Sequence, residues 1–180
     1  MVEGVVNPDN QQRKVVNSMK RYYAAYGSNL NIPQMLRRCP SARIIGTSEI
    51  PDYRLMYKGS KSGAYLTIEK AEGHSVPVGV WEVDGEDELT LDRYEGYPSF
   101  YYKAELKLPI RGIYSGKIRI RRLFVYIMRE DRELALPSPY YVRVCREGYK
   151  AFNFDKTILD EALEYTMKSV ADERGMADEG

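Results

Sequence analysis

The chain has 180 residues, and its 27 basic and 26 acidic side chains leave a formal net charge of +1. The length predicts one domain with a sizeable core, and the near-balance of charge argues against nucleic acid or an anionic membrane as a partner. A single histidine, His74, excludes sites built from two histidines. Cys39 and Cys145 are far apart with no CxxC partner, and we expect free thiols in a reducing compartment.

The two ends of the chain differ in character from its middle. Residues 1–19 are polar and without a clear period, and we interpret them as an extension ahead of a domain that spans residues 20–170. Residues 171–180 are predicted to be a charged tail that frays. No stretch reaches the ~18–20 apolar residues of a membrane span, and no secretory leader is recognisable in the first twenty residues. We therefore expect a cytoplasmic protein.

Between the ends, runs of β-branched and aromatic residues predict many strands and few helices. The predicted strands are residues 21–26, 42–50, 53–57, 64–69, 76–83, 100–108 and 117–128. The predicted helices are residues 31–38, 86–94, 140–149 and 157–168, with Asn31 and Asp84 as N-terminal caps and Gly96 ending the second helix. This pattern predicts an α+β fold built round a curved or barrel-like sheet.

The first candidate site follows the first strand, in the sequence Tyr26-Gly27-Ser28-Asn29-Leu30. Glycine lets a backbone approach a ligand closely, and serine and asparagine tolerate turns while offering hydrogen bonds. The helix that begins behind this loop leaves amide N–H groups unpaired, which suits a carboxylate or a developing oxyanion. Local chemistry alone also fits an ordinary strand-to-helix turn.

The second candidate site is the sequence LDRYEGYP, residues 91–98, at the end of a predicted helix. Glu95 lies one turn after the apolar Leu91, whereas Asp92 is expected nearer to solvent. Partial burial, together with the helix C-terminus, would raise the pKa of Glu95 towards a range useful for acid–base catalysis. The alternative is an amphipathic helix end whose glutamate points outwards past Gly96.

Together these motifs resemble the γ-glutamylcyclotransferase (AIG2-like) family. The resemblance rests on YGSNL at residues 26–30, on LDRYEGYP, and on GVWEV at residues 79–83. It extends through residues 53–59 and 63–81 and into LPSPYY at residues 136–141, so it covers roughly residues 20 to 150. The combination is much more specific than either motif alone.

The resemblance implies a small mixed or antiparallel β-barrel flanked by short helices. It also implies cyclisation of a γ-glutamyl compound to 5-oxoproline, with release of an amino acid or amine. Glu95 would be the acid–base residue, Tyr26 to Leu30 the substrate loop, and Tyr101 and Tyr141 would line the pocket. Because successive residues of a strand face opposite sides, Tyr101 and either neighbour, Phe100 or Tyr102, should not both point inwards.

Such a reaction needs no metal, cofactor or protein nucleophile, and ring closure within one molecule can lower the barrier by on the order of 7–11 kcal/mol. We expect a small-molecule substrate and a monomer or homodimer. One rival hypothesis is a γ-glutamylamine (isopeptide) cyclotransferase, and another is a non-catalytic small-molecule-binding relative. The basic residues Lys117, Arg119 and Arg121 suggest RNA contact less well than a solvated strand face. His74 is expected as an exposed hairpin residue.

Overall fold

The computed structural model describes residues 19–60 and 63–178. Of the predicted extension at residues 1–19, only Met19 lies within this part. The last two residues of the predicted tail, 179 and 180, lie outside it. The strands are β1 (Arg21–Ala25), β2 (Arg43–Ser60), β3 (Gly63–Val83), β4 (Tyr101–Gly112), β5 (Ile118–Met128) and β6 (Glu133–Leu134). The helices are α1 (Ile32–Arg38), α2 (Gly85–Glu95), α3 (Pro139–Ala151) and α4 (Thr157–Asp178), and a 3₁₀ turn covers Ser28–Leu30.

Five strands close into a barrel in the order β3-β1-β5-β4-β2, with β2 pairing back onto β3 and the short β6 added beside β2. The β1–β5 pair is parallel and the others are antiparallel. Gly46 of β2 faces β4 so closely that a Cβ there would lie 2.1 Å from the Arg111 carbonyl oxygen. The barrel and its helices confirm the predicted α+β class.

The core fills the barrel and extends under the helices. Its large, fully buried side chains include Ile68, Trp81, Leu91, Phe124 and Tyr149. Burying large apolar side chains contributes on the order of 1.5–3 kcal/mol each. Leu91 belongs to this set, so the core anchors the last turns of α2. Glu95 lies one helical turn after Leu91, so this packing also fixes the position of Glu95.

The two longest strands, β2 and β3, each span two of the strands that the sequence predicts. Pairing shifts from Pro51 with Ser75 to Tyr53 with Lys70, so residues 71–74 bulge out of β3 while β2 continues. We predicted a turn between two strands here, whereas the structure has a bulge inside one. His74 lies in this bulge and is exposed, as predicted.

Helix α2 begins and ends as its sequence predicts. The Asp84 carboxylate accepts hydrogen bonds from the Glu86 and Asp87 amides, and the Asp87 carboxylate accepts one from the Asp84 amide. At the other end Gly96 takes the left-handed conformation with φ 64°, a conformation that costs glycine little. These two caps place Glu95 at the last helical position.

Two features at the edges of the fold differ from the predicted elements. Helix α4 continues to Asp178, ten residues past its predicted end, so the backbone of residues 171–178 is helical. At the start of β5, Ile118 and Ile120 are 58% and 60% exposed, although they alternate with exposed basic residues. Both faces of this strand end meet solvent.

Within residues 19–60 and 63–178, no helix combines the length and apolar character needed to cross a membrane. Cys39 and Cys145 are both buried, and no disulfide joins them.

Candidate active site

Four elements bring the predicted site residues together around two connected cavities. Tyr26 follows β1, Glu95 ends α2, Tyr101 begins β4, and Tyr141 lies in the first turn of α3. The inner cavity, about 30 Å³, is lined by Tyr23, Tyr26, Gly27, Ser28, Asn29, Leu66, Glu95, Tyr101, Tyr126 and Tyr141. The outer cavity, about 300 Å³, is lined by Ser28, Tyr65, Arg93, Tyr94, Glu95, Gly96, Phe100, Tyr101 and Tyr141. Glu95 is therefore the carboxylate shared by both cavities.

Glu95 is partly buried and held by one amide. Asn29 Nδ2 donates a hydrogen bond of 2.9 Å to Glu95 Oε1 and another of 3.0 Å to the Tyr23 hydroxyl. Burial raises the pKa of Glu95 to about 7, while the charge of Arg38 and the Asn29 hydrogen bond work in the opposite direction. Both protonation states are therefore populated near neutral pH, as acid–base catalysis requires.

The tyrosines of the inner cavity are neutral hydrogen-bonding groups. Burial raises the pKa values of Tyr26, Tyr101 and Tyr141 well above that of a free phenol. The Tyr26 hydroxyl donates to the Tyr126 carbonyl at 2.6 Å, and the Tyr101 hydroxyl to the Leu66 carbonyl at 2.9 Å. The Leu66 amide in turn donates to the Tyr141 hydroxyl at 3.2 Å. These bonds fix the cavity wall without adding charge.

The loop predicted to contact substrate forms the 3₁₀ turn. Its first internal hydrogen bonds run from the Leu30 amide to the Gly27 carbonyl and from the Asn31 amide to the Ser28 carbonyl, both at 3.0 Å. The Ser28 and Asn29 amides precede these bonds and are left without a partner inside the turn. A Cβ at Gly27 would lie 3.2 Å from the Tyr141 hydroxyl oxygen, so a larger side chain would enter the inner cavity.

Leu30 is the exception among the predicted loop residues. Its side chain is fully buried behind the loop and does not line either cavity. It packs against Gly148 of α3, where a Cβ would lie 2.6 Å from Leu30 Cβ. The turn directs this apolar side chain into the core because burial removes it from water. Leu30 therefore supports the loop from behind, which corrects its expected place in the pocket.

The strand-alternation argument for Tyr101 was wrong in one respect. Phe100 and Tyr101 both line the outer cavity. Phe100 precedes β4 and lies outside the regular pleat, so alternation does not apply to it. Tyr102 does point away, and its hydroxyl donates to a Glu130 carboxylate oxygen at 2.5 Å.

Asp92 was also misplaced by the helical reasoning. Its carboxylate accepts a hydrogen bond of 2.6 Å from the Tyr126 hydroxyl and lies 2.8 Å from Lys103 Nζ. The side chain is only 19% exposed, because β4 and β5 pack against this side of α2 and supply both partners. Asp92 therefore belongs to a partly buried ion pair and not to the solvent face.

Arg38 and Tyr94 join the site although the sequence did not single them out for it. Arg38 ends α1, and its guanidinium stacks on the Tyr94 ring 3.8 Å from the centroid. One of its nitrogens donates to Asn29 Oδ1 at 2.7 Å and another to Gln34 Oε1 at 2.9 Å. The Tyr94 hydroxyl lies 3.3 Å from Ser28 Oγ. Nothing in the local pattern distinguishes Arg38 from the exposed Arg37 beside it.

In the part of the chain that the structure describes, no group of three or more His, Cys, Asp or Glu side chains could hold a metal ion. Glu95 is the single carboxylate among the residues that line the two cavities. The His74 ring lies instead against Arg54, with a 3.2 Å separation between its Nε2 and the guanidinium. The chemistry that this site can perform therefore centres on one proton-carrying carboxyl group, with tyrosine hydroxyls around it and Arg93 in the lining of the outer cavity.

Comparison with known proteins agrees with this geometry. The family model described as gamma-glutamyl cyclotransferase, AIG2-like, matches residues 23–143. The chain is 32% identical to the mouse gamma-glutamylcyclotransferase and 29% identical to the human one, over 71% of this chain and 69% of each relative. A solved structure of a gamma-glutamyl cyclotransferase superimposes with a TM-score of 0.67 at 26% identity, covering 83% of this chain and 86% of that one. The chain belongs to the gamma-glutamyl cyclotransferase, AIG2-like family.

Proposed function

We propose that this protein converts a γ-glutamyl compound to 5-oxoproline and releases a free amino acid or amine. The observation that carries this proposal is Glu95, a partly buried carboxyl group with a pKa raised to about 7, at the junction of the two cavities. A group of that pKa can both accept and return a proton at neutral pH. A module that only binds ligand has little use for it, which argues against a non-catalytic relative.

In the proposed reaction the substrate's α-ammonium first gives a proton to Glu95. The freed amine attacks the γ-carbonyl carbon of the same molecule, so that a new C–N bond closes the five-membered ring. The original C–N bond of the tetrahedral intermediate then breaks as Glu95 returns its proton to the departing nitrogen. The ring nitrogen loses its second proton, which ends on the released amine, so that 5-oxoproline and an ammonium group are formed. Attack within one molecule can contribute on the order of 7–11 kcal/mol, which removes the need for a protein nucleophile or a metal.

The negative charge that develops on the γ-carbonyl oxygen needs hydrogen-bond donors aimed at it. The Ser28 and Asn29 amides, unpaired inside the 3₁₀ turn, are suited to this task. The Tyr101 and Tyr141 hydroxyls line the same cavity and restrict the substrate's position. We assign the amides to the oxyanion and the phenols to the shape of the pocket.

The leaving group would lie towards the arginines at the outer rim. A neighbouring cavity of about 460 Å³ shares Ser28, Tyr65, Tyr94 and Tyr141 with the outer one and is lined by Arg37. Arg37 and Arg93 are exposed, and neither has a carboxylate partner within 4.0 Å among the side chains of residues 19–59 and 63–172. This positive rim favours a leaving group with a carboxylate, and so a γ-glutamyl amino acid over a γ-glutamylamine.

A panel of γ-glutamyl compounds tests both levels of the proposal. The purified protein is incubated with γ-glutamyl amino acids, γ-glutamyl dipeptides and ε-linked γ-glutamyl-lysine carrying blocked or free carboxylates, and 5-oxoproline is quantified. We expect turnover, with kcat/KM falling when the leaving group's carboxylate is blocked. Turnover confined to uncharged or cationic amines would overturn the assignment of the leaving group, and absence of 5-oxoproline from every member would overturn the activity. Localisation in the cytoplasm and a monomeric or homodimeric state remain predictions.

A further inference from the structure

We propose that Arg38 is a positioning residue that keeps Glu95 available as a base, by orienting the Asn29 amide and by placing an unneutralised positive charge one amide group away. This inference rests on the proposed function for its catalytic meaning. The arrangement itself is a hydrogen-bonded chain of three side chains from three elements, Arg38 of α1, Asn29 of the 3₁₀ turn and Glu95 of α2.

This hydrogen-bonded chain fixes the orientation of the Asn29 amide. Arg38 can only donate hydrogen bonds, so Asn29 Oδ1 must face it, at 2.7 Å. The Nδ2 group is then directed to Glu95 and to the Tyr23 hydroxyl, at 2.9 and 3.0 Å. Without Arg38 the amide could rotate and turn its oxygen towards the carboxylate. Such a rotation would destabilise the charged form of Glu95, which is the form that accepts a proton.

Arg38 itself is held in place but not neutralised. Its guanidinium is half-buried, stacked on Tyr94 and bonded to two amide oxygens, those of Asn29 and Gln34. No carboxylate lies within 4.0 Å of it among the residues that the structure describes. Neutral acceptors leave the full positive charge to act on nearby groups, and partial burial weakens its screening by water.

The other groups that share the cavities with Glu95 carry little competing charge. Burial raises the pKa values of the inner-cavity tyrosines above that of a free phenol, so they are uncharged at neutral pH; these are Tyr23, Tyr26, Tyr101, Tyr126 and Tyr141. From β3, Leu66 adds an apolar side chain. Arg93 lines the outer cavity but is exposed to solvent, which screens its charge. Arg38 is therefore the cation with the strongest influence on the Glu95 carboxylate, in agreement with its effect on that group's pKa.

The test measures the titration of the Glu95 carboxyl directly, by ¹³C NMR of the full chain labelled at glutamate side chains and assigned with Glu95→Gln. Arg38→Gln removes the charge and the fork of donors, and we expect Glu95 to titrate about 1 pH unit higher than in the wild type. Arg38→Lys keeps the charge, and we expect less than half that change. Arg119→Gln removes an exposed arginine on β5 that lines neither cavity, and serves as the matched control with no change.

The rate of 5-oxoproline release gives the second readout. The acidic limb of the pH–rate profile of Arg38→Gln should move to higher pH with the NMR titration, so the rate falls about 10-fold at pH 6 and recovers at pH 9. A purely structural role would lower the rate by the same factor at every pH. An unchanged Glu95 titration in Arg38→Gln would overturn the inference. If the wild type cyclises no γ-glutamyl compound, the proposed function fails, while the titration still decides the role of Arg38.

Discussion

Replacement of Glu95 by glutamine removes the proton carrier and changes little else in the site. Glutamine has nearly the volume of glutamate, and its Oε1 can still accept the 2.9 Å hydrogen bond from Asn29. We therefore expect Glu95→Gln to fold normally and to bind a γ-glutamyl compound with similar affinity. Only the transfer of the proton is lost, because an amide can neither accept nor return one near neutral pH.

The size of the effect follows from the state of this carboxyl group. Its pKa of about 7 places it where general acid–base catalysis is most efficient. Such transfer commonly contributes ~10²–10⁴-fold, equivalent to about 3–5 kcal/mol of barrier, and turnover should fall by at least that factor. In the wild type the base form is lost on acidification, so the rate should fall as the pH drops through about 7. That limb should be missing from any residual activity of Glu95→Gln.

The assay follows 5-oxoproline by chromatography from pH 5 to 9, with ligand affinity measured by calorimetry. Glu86→Gln is the matched control, since it removes an exposed carboxylate from the first turn of the same helix and should leave the rate unchanged. Asp92 is unsuitable for this purpose because its carboxylate is tied to Lys103 and Tyr126. A Glu95→Gln rate close to that of the wild type would refute the assignment of the proton carrier.

Three other predictions concern stability, the loop and metal ions. The pKa of Glu95 is about 7 in the folded protein against 4.5 in the unfolded chain, so the folded state binds this proton more tightly. The stability that this difference contributes to the wild type is present at low pH and is lost as the pH rises from 4.5 through 7. At 1.36 kcal/mol per pH unit, urea titrations should show Glu95→Gln gaining up to about 3 kcal/mol relative to the wild type between pH 4 and 8, and a constant difference would contradict the burial of this group. Gly27→Val should reduce kcat/KM by more than about 10²-fold, because its branches enter the cavity beside Tyr141, with a thermal melt showing that it is folded; a folded variant with full activity would mean that the loop does not approach the substrate. Turnover should survive EDTA, and restoration by one divalent ion of activity lost to EDTA would disprove the metal-free mechanism.

The parts of this molecule that could be predicted from sequence are those with local signals. Asp84 and Gly96 fix the ends of α2 through hydrogen bonds within a few residues, so the position of Glu95 on the helix followed from the pattern. For the pKa of Glu95 the local pattern left two alternatives, a partly buried carboxyl group and one that points outwards past Gly96, and the packing of this helix end against the core favours the first. The barrel class followed from the number of strands and from the family resemblance.

The parts that could not be predicted depend on contacts between distant segments. Asp92 is partly buried because Lys103 and Tyr126 reach it from β4 and β5, which helical periodicity cannot reveal. Arg38 joins the site because α1 turns back over the loop and brings the guanidinium to Asn29 and Tyr94. Both residues were misjudged for the same reason. Helical periodicity describes one helix by itself, whereas the burial of a side chain depends on the segments that pack against that helix.

In the proposed reaction the substrate's own amine, and not water, attacks the γ-carbonyl. Turnover of a γ-glutamyl amino acid in H₂¹⁸O, with the products analysed by mass spectrometry, distinguishes the two nucleophiles. We expect 5-oxoproline without ¹⁸O, formed in equal amount to the released amino acid, because the carbonyl oxygen is kept throughout. Glutamate carrying one ¹⁸O would show that water is the nucleophile and would rule out cyclisation.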